Sequence, residues 1–99
     1  MVTSRKQIFE TLGQHQQQLR ELGVRKLQLF GSSARNEAKA NSDLDFVVEL
    51  LQNDFDSYMG VKFYLEDLFR CQVDLVLADS IKPLLREEIL KEAVDAPGF

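Results

Sequence analysis

Asp43 and Asp45 stand one residue apart in the run Ser42-Asp43-Leu44-Asp45-Phe46-Val47-Val48-Glu49, shortly after Gly31-Ser32-Ser33-Ala34-Arg35. A Gly-Ser turn can cradle phosphate oxygens with its backbone amides. Paired carboxylates at the start of a strand can hold divalent cations, since Mg²⁺ takes oxygen ligands and keeps several waters. Phosphate together with metal points to nucleotide chemistry.

Those residues need strands to hold them. Leu44, Phe46, Val48 and Leu50 alternate with Asp43, Asp45, Val47 and Glu49, the period of a strand. The two aspartates then project from the face opposite the apolar one, with Cα atoms about 6.6 Å apart. Two-metal sites hold their ions roughly 3.5–4 Å apart, a gap such a pair can flank. Val24 to Phe30 reads as a preceding strand that stops at Gly31, and Ser33 to Lys39 suits a short helix. For the turn and the aspartates to line one pocket, the two strands must run antiparallel. Gln72 to Leu77 is a third strand, and within it Asp74 interrupts an apolar run. A lone carboxylate there needs a partner, which makes Asp74 the natural third ligand. Three converging carboxylates repel by roughly 4 kcal/mol per pair at about 4 Å, a cost that bound cations remove.

Helices complete the framework. Ser4 and Gln7 form a capping box ahead of Ile8, Leu12, Leu19 and Leu22, a stripe ended by Gly23. Asp54 to Phe69 suits a helix with Phe55, Met59, Leu65, Leu68 and Phe69 available to the core, weakened by Gly60. The helical aromatics, Tyr58, Phe63 and Tyr64 among them, read as core rather than stacking platforms. Pro83 opens a last helix with Leu84, Leu85, Ile89 and Ala93 inward. His15 reads as solvent-facing and Glu87-Glu88 as a solvated helix face. The order α-β-α-β-α-β-α predicts an α/β (α+β) fold, a small mixed sheet of three or slightly more strands backed by helices, in a single domain over residues 1–99.

Composition narrows the function. The chain has 99 residues, a net charge of −4 and 44% apolar residues. No apolar run approaches the length of a membrane span and the N-terminus lacks a signal-peptide core, so the expected compartment is the cytoplasm. The acidic balance argues against a nucleic-acid coat, which needs clustered Lys and Arg. One cysteine, Cys71, excludes an internal disulfide and reads as a small buried hydrophobe. No P-loop, dinucleotide glycine fingerprint or nucleophile elbow competes with the Gly-Ser and Asp-x-Asp reading. Either short motif alone is mostly a turn or a strand edge; together, with a third strand aspartate, they are far more specific.

At these residues the chain resembles the minimal nucleotidyltransferases of the DNA polymerase β superfamily, the type found as antitoxins beside HEPN-domain toxins. Gly31-Ser32, Asp43-Leu44-Asp45 and Asp74 match its signature, Ala34-Arg35 and Ser42 fit around it, and Asn36 departs where the family usually has glycine. The resemblance implies the nucleotidyltransferase fold and transfer of a nucleoside monophosphate, AMP from ATP or another NTP, with Mg²⁺ (or Mn²⁺). Asp43, Asp45 and Asp74 would be catalytic and metal-binding, and Gly31, Ser32, Ser33 and Arg35 would be nucleotide-binding. Arg35 could equally form a structural ion pair. The implied partner is a HEPN-domain protein carrying the acceptor hydroxyl, because the chain has no second lobe to recognise an acceptor. Two rivals stand beside this: a non-catalytic binding subunit acting by contact alone, and a subunit modifying a small molecule or RNA end. The edges of so small a sheet leave self-association open.

Overall fold

Alternating burial along three strands builds the sheet. The computed structural model describes residues 4–31, 43–52 and 54–99. In chain order the elements are α1 (Arg5–Gln14), α2 (Gln16–Glu21), β1 (Val24–Phe30), β2 (Leu44–Leu50), α3 (Phe55–Phe69), β3 (Val73–Leu77), a 3₁₀ turn (Ala78–Ser80), α4 (Pro83–Glu92) and β4 (Val94–Asp95). The short helix expected over Ser33 to Lys39 lies outside the described residues. The sheet is four-stranded and mixed, in the order β3-β2-β1-β4. β1 runs antiparallel to β2 and to β4, while β2 and β3 are parallel and joined through α3.

One face carries the main core. Leu27 and Leu29 of β1, Leu44, Phe46 and Val48 of β2, and Val73 and Leu75 of β3 pack there against Ile8, Leu12, Leu19, Val61, Leu65 and Phe69. The Phe46 and Phe69 rings stack with centroids 6.1 Å apart. The opposite face carries a smaller cluster, in which Val47, Ala78 and Ile81 meet Phe30, Val76 and Ile89. A one-residue slip of β2 would turn Leu44, Phe46 and Val48 out to solvent. At roughly 2 kcal/mol for each side chain, that forfeits about as much free energy as a small domain's whole stability. The core therefore fixes the face on which the strand aspartates stand.

The helices depart from expectation in instructive ways. The Ser4–Gln7 capping box is present, but the first helix breaks at His15. His15 is not solvent-facing: its Nδ1 lies 2.8 Å from the Tyr64 hydroxyl, in partly buried surroundings between α1 and α3. α3 runs through Gly60 without interruption, capped by the Asp54 carboxylate, and leaves through Arg70 in a left-handed conformation. Phe55 and Phe63 are exposed instead of buried, as are Leu84 and Leu85 of α4. Helical spacing identifies an apolar stripe, but α4 meets the sheet mainly through Ile89 and so leaves Leu84 and Leu85 outside. β4 was not expected, because two residues are too few to show alternation. Its Asp95 accepts a hydrogen bond from Gln28 Nε2 at 2.9 Å, and Ala96 N donates to Leu27 O at 2.9 Å.

Candidate active site

Strand register brings the chemistry to one end of the sheet. Phe30 pairs with Asp45 across the antiparallel ladder, and Asp45 pairs with Asp74 across the parallel one. Side chains of paired residues share a face, and neighbouring strands lie about 4.8 Å apart. Phe30, Asp45 and Asp74 thus form a row on the face opposite the main core, with Asp43 just before β2. Strand pairing thus sets Asp45 beside Asp74, and Asp43 stands one residue ahead of β2.

Gly31 closes the row. Its φ of +75° is left-handed, and an added Cβ would lie 2.5 Å from Asp45 Oδ2. Only glycine lets the turn approach that carboxylate so closely. Ser32, Ser33 and Arg35, expected to bind nucleotide with Gly31, lie outside the described residues, as do Ala34, Asn36 and Ser42.

The electrostatics follow from this packing. Burial, then the Asp74 carboxylate, then that of Asp43, push the Asp45 carboxyl above its ordinary value. Cys71 is half-buried rather than fully in the core, and burial, then the nearby Asp43 carboxylate, push its thiol above the ordinary value. Among the described residues, no group of three or more His, Cys, Asp or Glu side chains is drawn in closely enough to hold a metal ion. The Asp43, Asp45 and Asp74 carboxylates are near enough for the other two to disfavour ionisation of Asp45. As a donor set they fit a hard cation: all oxygen, on adjacent strands, with a mutual repulsion that a cation would relieve.

Two hollows flank the row. The larger, about 720 Å³, lies between the end of β1 and α4 and is lined by Phe30, Gly31, Glu88, Ile89, Lys91 and Glu92. The smaller, about 330 Å³, is lined by Asp43, Lys62, Glu66, Gln72, Val73 and Asp74. In it Glu66 accepts from Lys62 Nζ and from the Val73 amide, each at 3.1 Å, which steadies the start of β3 just before Asp74. Those two hydrogen bonds, the amide's first, hold the Glu66 carboxyl below its ordinary value. Sequence reasoning missed both Glu66 and the cleft residues of α4. Phe30 was legible: with Leu27 and Leu29 facing the core, its ring has to fall on the aspartate side.

The chain is similar to known proteins along most of its length. Residues 12–96 match the nucleotidyltransferase domain family. The protein adenylyltransferase MntA of Thermococcus cleftensis is 37% identical over 90 residues, spanning 89% of this chain and 91% of that protein. The solved structure of a candidate minimal nucleotidyltransferase superposes with a TM-score of 0.72 at 33% identity, covering 87% of this chain and 93% of the other. A Shewanella oneidensis structure, a tri-AMPylated HEPN toxin in complex with MNT antitoxin, aligns with a TM-score of 0.65. At 19% identity, over 92% of this chain and 73% of that one, it shares the fold. No helix among the described residues is long and apolar enough to cross a membrane.

Proposed function

The chain belongs to the nucleotidyltransferase domain family, and from that premise we propose that it is the antitoxin of a HEPN toxin pair, transferring AMP from ATP to a hydroxyl of its partner. The observation that carries the reading is the row of carboxylates beside Gly31, with Asp45 held between strands and facing Asp74. The 37%-identical MntA relative, named a protein adenylyltransferase, supports the reaction class, and the AMPylated HEPN complex of the same fold supports the partner.

Asp43 and Asp45 would hold Mg²⁺ with the triphosphate, and Asp74 would complete one metal site. Bound there, the cation neutralises phosphate charge and favours in-line displacement at the α-phosphorus. Gly31, Ser32, Ser33 and Arg35 hold the β- and γ-phosphates. Asp74 accepts the proton of the acceptor hydroxyl, which reaches it through the smaller hollow beside Lys62 and Gln72. The acceptor oxygen bonds to the α-phosphorus, the bond from that phosphorus to the bridging oxygen breaks, and pyrophosphate leaves. Most of the rate gain comes from positioning and charge neutralisation. The whole chain acts as one domain in the cytoplasm, where ATP and the partner are found together.

Incubating the protein with labelled ATP, Mg²⁺ and the HEPN-domain protein encoded beside it tests this. Label should reach a partner tyrosine, and Asp45→Asn should abolish transfer. Absence of transfer from every nucleotide triphosphate tried would refute the catalytic reading. The rival reading, neutralisation by contact alone, does without the carboxylates. An Asp43→Asn, Asp45→Asn double variant that still neutralises its partner would establish it.

A further inference from the structure

We propose that the cleft between Phe30 and α4 is the nucleoside pocket of the triphosphate substrate, with the Phe30 ring as the surface on which the base stacks. This rests on the nucleotidyl-transfer reading and adds where the base goes and what holds it.

Position comes first. Gly31 both touches the Asp45 carboxylate, at the phosphate end of the site, and lines the larger cleft. A nucleotide whose phosphates lie at Gly31 and Asp45 can extend its nucleoside into that cleft or into the smaller hollow on the other flank. The chemistry of the two walls separates these choices. The smaller hollow offers three carboxylates, no aromatic ring, and a lysine already paired with Glu66 at 3.1 Å. A base has little to gain there, and an acceptor hydroxyl needs the space.

The larger cleft offers what a nucleoside requires. At about 720 Å³ it falls well inside the range that holds small-molecule ligands. Phe30 is half-buried, packed with Val47, Val76 and Ile89 yet still lining the cleft. Base stacking on an aromatic ring is strong and tolerant of base identity. Glu88 stands on the exposed side of α4 as an acceptor-only group, matched to sugar hydroxyls, which donate. Lys91 supplies a cation among the lining residues that offsets the glutamates. The cleft therefore pairs an apolar floor with a polar rim, beside the phosphate end.

The chain has no tryptophan, so Phe30→Trp places a sole tryptophan, excited selectively over Tyr58 and Tyr64, on the proposed stacking surface. With Mg²⁺ present, ATP should change the emission of Phe30→Trp, whereas inorganic tripolyphosphate, binding only at the phosphate end, should leave it unchanged. Phe30→Leu, its folding verified by circular dichroism, should weaken ATP binding about tenfold by calorimetry and leave tripolyphosphate binding as in the wild type. If Phe30→Leu does not fold, Phe30→Trp decides the matter. ATP binding with unchanged Phe30→Trp emission would overturn the pocket while leaving nucleotidyl transfer intact. If neither ATP nor tripolyphosphate binds the wild-type protein, the transfer reading itself fails and the pocket with it.

Discussion

Alanine at position 31 separates the structural from the functional demands on the turn. Its φ of +75° is left-handed, which costs a residue with a Cβ about 1–2 kcal/mol. The new methyl group would also sit 2.5 Å from Asp45 Oδ2. That oxygen ends a rotatable side chain, so the collision is relieved by moving the carboxylate and adds little to the loss of stability. Its functional effect is larger. The Asp45 carboxylate must retreat by about 1 Å to reach ordinary contact, a displacement that costs about 100-fold in rate when it befalls a catalytic group. Gly23 is the matched control, because its φ is +98° but a Cβ there meets nothing within 4 Å. Both Gly23→Ala and Gly31→Ala should melt roughly 5–15 °C lower than the wild type. Only Gly31→Ala should lose AMP transfer to the partner and Mg²⁺-dependent ATP binding. Equal transfer rates for the two variants, measured with labelled ATP, would refute the role given to the Gly31–Asp45 contact.

Three further outcomes follow from the same geometry. The folded Asp45 carboxyl titrates above its unfolded value, so its ionisation subtracts stability as pH rises from about 3.8 through the folded value. Asp45→Asn should therefore be more stable than the wild type at neutral pH without divalent metal, by up to about 1 kcal/mol after solvent screening. Urea melts showing the same difference near pH 3 as at pH 7 would contradict this. Glu66→Ala removes the acceptor of the Val73 amide and should cost about 1–2 kcal/mol, with faster hydrogen exchange at Val73. Because the folded Glu66 carboxyl lies below its ordinary value, that contribution is full above about pH 4.5 and lost as pH falls through the folded value. Tyr64→Phe removes the hydroxyl beside His15 Nδ1 and should lower unfolding free energy by about 1 kcal/mol, read by chemical denaturation.

The three longer strands and the aspartate face were legible because alternation is a local signal with one structural meaning. Leu44, Phe46 and Val48 had to point inward together, and Asp43 and Asp45 were thereby turned the other way. The antiparallel pairing of β1 with β2 followed from requiring Gly31 and Asp45 to meet. What escaped the sequence depends on contacts distant along the chain. Leu84 and Leu85 read as part of a buried stripe, yet both are exposed, and α4 meets the second cluster through Ile89. His15 looked solitary because its hydroxyl partner stands 49 residues away. β4 has no pattern of its own and exists only because β1 offers an edge. At the site, the glycine was readable as a flexible turn, but its contact with Asp45 was not. The assigned roles of Ser32, Ser33 and Arg35 rest on the resemblance, since those residues lie outside the described structure.

Within the described sheet, Asp45 and Asp74 differ in how firmly they are anchored. β2 is hydrogen-bonded on both sides, whereas β3 is the outermost strand, bonded along one side only. One carboxylate is thus bolted to the middle of the platform while its neighbour rides on the rim. Any change in the spacing of the two groups therefore falls to the edge strand, which has one neighbour to hold it in the described sheet.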